Sequence, residues 1–206
     1  MREARVPDIV ISRLPLYLRT LESMELEGKE STTSSELAER LNLSPAQIRK
    51  DLSYFGGFGK QGKGYNVKHL TAELRRILNV EKEWEMALVG VGDLGRALIH
   101  YQGFRDKGFR LVLLFDKNPQ KIGTKIEGLE IMDSALIPEL IRERGIKIAI
   151  IAVPPHEAQK VADALVSAGI EAILSYAPVN LKVPPHVKVQ YIDPVVSLRC
   201  MTYYLG

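Results

Sequence analysis

Hydrophobic positions change rhythm once along this chain, near residue 81. Through residues 1–80 they recur every three or four positions, the spacing of helices that bury one face. In SRLPLYLRTLESMELEG, Ser12 is placed to cap, Pro15 falls in the tolerant first turn, and Leu14, Tyr17, Leu18 and Leu21 share a face before Gly28 stops the helix. Thr33-Ser34-Ser35-Glu36 forms a capping box ahead of SSELAERL, whose Leu37, Ala38 and Leu41 point inward. After Asn42-Leu43-Ser44, a second box pairs Ser44 with Gln47, places Pro45 at the first helical position and opens PAQIRKDLSYF. That helix turns Ile48, Leu52 and Phe55 to a core and leaves Gln47, Arg49, Lys50, Ser53 and Tyr54 mostly outside. The following GGFGKQGKGYNV, with five glycines among twelve residues, predicts a hairpin of the kind called a wing. Asn66 then caps VKHLTAELRRIL, with Leu70, Leu74, Ile77 and Leu78 as its buried stripe.

From Met86 onward, short apolar runs alternate with helical patterns. MALVG precedes a helix to about Lys107, then come RLVLLFD, a helix over 134–144, IKIAIIAV, a helix over 156–168, AILSY and VKVQYI. Such alternation marks stacked β-α-β units, and uniformly apolar strands imply a parallel sheet covered on both faces. The fold class is therefore α/β, with an N-terminal winged-helix domain (1–80) followed by a doubly wound Rossmann domain (81–192). A last segment (193–206) contains DPVVSLRCMTYYL, a helix so broadly apolar that one chain would not cover it.

Composition narrows the class. The 206 residues are 46% hydrophobic and 26% charged, as in ordinary globular proteins, and hold no apolar run long enough to span a membrane. The N-terminus lacks the apolar block of a secretory signal, so the expected location is the cytoplasm. Cys200 has no second cysteine to pair with, and His69, His100, His156 and His186 are too scattered to form a zinc motif with it, so no metal is expected. Net charge is only +3, but its distribution matters. Residues 1–80 carry 13 Lys/Arg against 10 Asp/Glu, whereas 81–206 carry 15 against 15. Within 45–68, Arg49, Lys50, Lys60, Lys63 and Lys68 face one acid, Asp51.

GVGDLG, Gly90 to Gly95, lies where a strand ends and a helix begins, the context a G-x-G-x-x-G match requires. Gly90 permits the sharp turn, Gly92 lets backbone approach a pyrophosphate and Gly95 lets helix pack on strand, with Val91, Asp93 and Leu94 between them. The helix N-terminus favours phosphate. Asp116, twenty-one residues beyond Gly95, ends the next strand, where a carboxylate accepts ribose hydroxyls and disfavours a 2′-phosphate. NAD(H) is thus expected over NADP(H), with Lys117 and Lys121 nearby opposing that preference. The same residues also fit a tight turn with no ligand, Asp116 merely opening a turn at Asn118-Pro119.

In a helix-turn-helix the second helix enters the major groove, where cationic and hydroxyl side chains reach base edges. Gln47, Arg49, Lys50, Ser53 and Tyr54 suit that task, and Lys60 and Lys63 on the wing suit phosphate or minor-groove contacts. A solvated charged face is the alternative reading. IRKDLSYFGGFGKQGKGY, followed by GVGDLGRAL and LLFD, resembles the Rex family of bacterial redox-sensing transcriptional repressors. The likeness runs nearly end to end, from ISRLPLYLR to YIDPVVSL.

The resemblance implies a homodimer that binds a palindromic double-stranded operator and is released when NADH replaces NAD⁺, with a C-terminal helix swapped between subunits. It implies DNA contact by Arg49, Lys50, Ser53, Lys60 and Lys63, and a switching trio of Arg19, Tyr101 and Asp193; because the sensor must touch the nicotinamide, the neutral ring is expected in an apolar slot near Tyr101. Asp93 departs from relatives in which that position is basic. Two other readings remain at this stage. IIAVPPHEAQKVADAL also looks like the nucleotide domain of an NAD-dependent dehydrogenase, but Ser175-Tyr176-Ala177-Pro178 lacks the lysine such enzymes carry, and about 30 residues follow it. A Rossmann repressor that senses another nucleotide or a CoA-like ligand is the third.

Overall fold

The computed structural model describes residues 6–59 and 64–205. The chain divides into two compact units, Met1–Lys82 and Glu83–Gly206. In the first, α1 (Asp8–Leu26) buries Val10, Leu14, Tyr17, Leu18, Leu21 and Met24 along one stripe. It begins four residues ahead of the predicted Ser12 cap, because Pro7 holds extended backbone at the N-cap and Asp8 suits the positive helix end. Ser12 instead donates its hydroxyl to the Ile9 carbonyl, and Pro15 lies inside the helix. Both Pro15 and Ile11 are exposed, so the carbonyl that loses its amide partner faces water.

After β1 (Ser31–Thr32), the N-cap half of each predicted box forms, while the Glu36 carboxylate accepts from Lys29 and Thr32 and the Gln47 side-chain amide donates to Asp51. The Thr33 side chain accepts from the Glu36 amide at the start of α2 (Ser34–Leu41), and Ser44 accepts from the Gln47 amide at the start of α3 (Pro45–Ser53). Asn42, in left-handed backbone, ends α2 and permits the short turn. β2 (Tyr65–Asn66) then leads into α4 (Val67–Ile77), with Asn66 accepting from the His69 amide. The predicted hairpin is revised in one respect: residues 56–59 form no strand, and β2 pairs antiparallel with β1, Thr32 opposite Tyr65. A two-residue strand carries no periodicity, so β1 was invisible as pattern. The side chains of α1, α2, α3 and α4 close one apolar core.

The second unit is a seven-stranded sheet ordered β5-β6-β4-β3-β7-β8-β9. Its elements are β3 (Trp84–Val89), α5 (Asp93–Ile99), β4 (Phe109–Asp116), β5 (Lys125–Ile126), β6 (Leu129–Asp133), α6 (Ile137–Arg144), β7 (Ile148–Ile151), α7 (Pro155–Ser167), β8 (Ala172–Ser175), β9 (Lys188–Tyr191) and α8 (Pro194–Thr202). All neighbours pair in parallel except β5, which reaches β6 through Glu127 and Gly128, both at positive φ. Successive residues of β3 serve opposite faces. Ala87 and Val89 join the core under α6 and α7, while Met86 and Leu88 join the core under α5. The order in which strands are added reverses between β3 and β7, since β4 and β6 lie to one side and β8 and β9 to the other. A crevice opens at such a point beyond the carboxyl ends of the strands.

Two details depart from the sequence pattern. The helix predicted to run to Lys107 stops at Ile99 and resumes as a 3₁₀ turn over Gln102–Lys107, so Tyr101 sits at the break. The strand pair β5-β6 precedes the 134–144 helix, which itself begins as a 3₁₀ turn over Ser134–Leu136.

Candidate nucleotide crevice and DNA-reading face

A cavity of about 430 Å³ lies at the switch point, lined by Gly90 and Gly92 after β3, Asp116 after β4, and Val153 and Pro154 after β7. Its three glycines have separable reasons. Gly90 has φ +97°, and a Cβ there would strike the Ala152 carbonyl; a Cβ on Gly95 would strike the Gly90 carbonyl. These two are required by the protein's own packing. Gly92 is not: its backbone is extended, and an added Cβ would meet nothing within 4 Å. It opens instead toward the cavity, and no side chain caps the amide end of α5 there. Val91 is buried in the core beneath α5, whereas Asp93 and Leu94 are exposed on the first turn.

Asp116 is almost fully buried. Its Oδ2 accepts from the Val91 amide (2.9 Å) and from Lys121 Nζ (3.1 Å), and its Oδ1 from the Asn118 amide (2.9 Å). Burial pushes the carboxyl up, but the Asn118 and Val91 amides and the Lys121 ammonium outweigh it and hold the group below the usual carboxylate range. An ionised carboxylate offers about four acceptor positions, so about one remains for a ligand hydroxyl. The two lysines that sequence set against NAD(H) are both engaged. Lys121 also donates to the Val91 carbonyl at 2.9 Å, and Lys117 pairs with Glu157 on α7 at 2.9 Å. Lys121, read from the sequence only as a cation opposing NAD(H), instead pairs with Asp116 five residues before it, and Glu157 was missed because its partner Lys117 lies forty residues away and leaves no local spacing to read.

Tyr101 lies outside this cavity. It is exposed, stands edge-on to Phe104 with ring centroids 5.0 Å apart, and lines a second cavity of about 460 Å³ with His100 and Glu127. The Tyr176 phenol beyond β8 is pushed up by burial and, secondarily, by Tyr101. Asp193 accepts from the Val195 amide as the N-cap of α8, and Arg19 is exposed on α1. No hydrogen bond joins Tyr101 to Asp193 within the protomer among the described residues.

On the first unit, α3 presents the expected face. Arg49, Lys50, Ser53 and Tyr54 are exposed, and Gln47 is half-buried. Arg49 donates to Ser34 Oγ at 3.0 Å, which steadies it against α2, and the Ser53 hydroxyl donates to the Lys50 carbonyl. Lys60 and Lys63 fall outside the described residues. The lone acid of this stretch is not part of the face. Asp51 is fully buried, gripped by Arg13 through Nε (2.6 Å) and Nη2 (2.9 Å), by the Tyr17 hydroxyl (2.6 Å) and by Gln47 Nε2 (2.7 Å). Burial raises its pKa, yet hydrogen bonds from Arg13, Tyr17 and Gln47 bring it below the ordinary value. The signal was present in the chain: Ile48, Asp51, Leu52 and Phe55 form one helical stripe, and an acid on an apolar stripe needs a buried partner.

Known proteins share both halves of this arrangement. Residues 5–53 match a family described as Putative DNA-binding protein N-terminus, and residues 81–179 one described as CoA binding domain. The chain is 56% identical over 200 residues to the redox-sensing transcriptional repressor Rex of Roseiflexus sp. (strain RS-1), covering 97% of this chain and 91% of that protein. The Rex protein of Chloroflexus aurantiacus (strain ATCC 29366 / DSM 635 / J-10-fl) is 57% identical, with 97% and 94% covered. Among solved structures, RSP in complex with β-NAD⁺ and operator DNA superposes with a TM-score of 0.92 at 40% identity, covering 97% of this chain and 92% of that one. RSP in complex with β-NADH gives 0.89 at 38% identity, with 98% and 95% covered. With a helix-turn-helix unit, a glycine-turned crevice and this identity along nearly its whole length, the chain belongs to the Rex family of redox-sensing transcriptional repressors.

Proposed function

We infer that this chain is an NADH/NAD⁺-responsive repressor that binds palindromic operator DNA as a homodimer and is released by NADH. Gly92 carries the cofactor half of the reading. Among the described residues a Cβ there would meet nothing within 4 Å, so the protein's own packing does not account for a glycine, whereas a pyrophosphate approaching the backbone does. The rest of the crevice fits the same group. Gly90 to Gly95 shape the turn, Asp93 and Leu94 stand exposed on the first turn of α5, and Asp116 offers its remaining acceptor position to a ribose hydroxyl. Asp116, held ionised at the ribose end, repels a 2′-phosphate, and Lys121 is occupied by Asp116 and the Val91 carbonyl, which favours NAD(H) over NADP(H).

A bound dinucleotide supplies a nicotinamide ring whose charge and planarity follow its oxidation level. The chain's part is to convert that difference into a change of shape. To Tyr101 we assign the sensing of the ring and competition with Arg19 for Asp193; its position at the break after α5, within electrostatic reach of Tyr176, supports that reading. We assign residues 1–80 to DNA, 81–192 to the cofactor and 193–206 to dimerisation. Every residue from Pro194 to Leu205 is exposed, which supports a helix covered by the partner subunit. Gln47, Arg49, Lys50, Ser53 and Tyr54, with Lys60 and Lys63, form the reading and phosphate-contacting set. The role is regulatory rather than catalytic and belongs in the cytoplasm with the operator; relatives named as repressors over more than nine-tenths of their length support it.

A linkage of about 1–3 kcal/mol is the usual scale for such coupling. The test is a gel shift on a random duplex pool, first with NAD⁺ and then with NADH. Selected DNA should be retained with the first and released by the second; equal retention under both would sink the reading. Tyr101→Phe and Asp193→Ala should each blunt the release. If both respond to NADH as the native chain does, the trio has no switching role.

A further inference from the structure

We propose that Asp51 locks the side-chain amide of Gln47 in one orientation, so that the reading helix presents Gln47 Oε1 as an outward acceptor and selects an adenine through its 6-amino group. This rests on the DNA-reading assignment of α3. Gln47 is the third residue of that helix, in the turn that lies nearest the base edges when a recognition helix enters the major groove. One helical turn on, the buried Asp51 carboxylate receives four hydrogens: two from Arg13, one from Tyr17 and one from Gln47 Nε2. Its acceptor positions are then filled, and the Arg13 guanidinium beside it keeps it ionised.

The consequence is chemical. An ionised carboxylate has no hydrogen to give, so only the amino end of Gln47 faces it. Turning the amide over would set Oε1 against Oδ1, two acceptors with nothing between them. Asp51 lies in the core of the unit, and the opposite end of the amide is thereby directed away from the core. A free glutamine adapts to donors or acceptors; this one is committed. In the major groove adenine offers N6 as donor and N7 as acceptor, and Oε1 with the second Nε2 hydrogen matches both. Guanine shows O6 and N7, both acceptors, and gives Oε1 no partner. Arg13, Tyr17 and Asp51 touch no base and act as positioning residues.

The test uses the full-length protein and random duplexes selected in the presence of NAD⁺, with bound DNA sequenced for the native chain, Gln47→Ala and Asp51→Asn. The native chain should enrich an A·T pair at one position of each half-site, and Gln47→Ala should lose that preference while keeping the others. Replacing that adenine by 2-aminopurine, which lacks the 6-amino group, should weaken native binding roughly tenfold. The same replacement should leave Gln47→Ala nearly unaffected, and Asp51→Asn less affected than the native chain, because a neutral amide partner lets Gln47 turn over. The proposal is overturned if Gln47→Ala keeps every native preference, if the preference it loses is for a G·C pair, or if folded Asp51→Asn retains the full 2-aminopurine penalty. Should Asp51→Asn fail to fold, Gln47→Ala with the base analogue decides alone. A native chain that enriches no sequence while still binding NADH would instead overturn the DNA-reading assignment.

Discussion

Three glycines within a span of six residues carry different burdens, and substitution separates them. At Gly92 a Cβ meets nothing within 4 Å among the described residues, so Gly92→Val should fold with a melting temperature close to the native one and lose NADH binding in a fluorescence titration. At Gly95 a Cβ would run into the Gly90 carbonyl, so Gly95→Val should lower the melting temperature as well. Loss of stability in the first variant, or full affinity in it, would contradict the ligand-facing role. Asp51 makes a second prediction at this scale. Its folded pKa lies below its unfolded value near about 3.9, so its stabilising effect is present above that value and is lost as pH falls through the folded pKa. Asp51→Asn should therefore be destabilised near neutrality, by on the order of 3 kcal/mol, because Arg13 keeps its charge without a counter-charge. Measured by urea unfolding, the gap between native and variant should narrow below about pH 4.

Among the elements, the helices of the first unit are set by local chemistry. Thr33 and Ser44 each satisfy an amide that the first turn leaves without a partner, and neither depends on distant contacts. Thr33→Ala and Ser44→Ala should each cost about 1 kcal/mol in denaturant unfolding, nearly additively because the caps share no partner. Ser44→Ala should further weaken operator binding, since α3 begins at that cap. The paired strands obey another rule. β1 and β2 are two residues each, and their pairing joins positions more than thirty residues apart, so neither periodicity nor turn residues announce it. Likewise β6 carries little alternation of its own and owes its place to parallel pairing with β4.

At the scale of the whole molecule, α8 leaves its apolar side chains uncovered within the single chain. Val195, Val196, Leu198 and Met201 on α8 are all more than half exposed or at its margin, and Tyr203 and Tyr204 beyond them are more so. Burying each large apolar side chain is worth about 1.5–3 kcal/mol, which makes an uncovered α8 strongly unfavourable in water. A chain ending at Ile192 should keep its sheet by circular dichroism yet sediment as a monomer and lose operator affinity, since two linked half-sites bind far more tightly than one. Retention of the dimer without residues 193–206 would remove the proposed role of that segment.

What the chain declares by itself is whatever one helix or one turn can encode. Capping boxes around α2 and α3, the apolar stripes of α1 and α4, the strand-turn-helix at Gly90 to Gly95 and the alternation of the sheet unit are legible because neighbours in sequence create them. Tertiary structure alone decided that Asp51 turns inward to Arg13 and Tyr17, that Lys117 is held by Glu157 and Lys121 reaches the Val91 carbonyl, and that Tyr101 stands apart from the glycine cavity. Each of those facts depends on where distant segments pack, and a charge's role is fixed by the partners and the water that packing leaves to it.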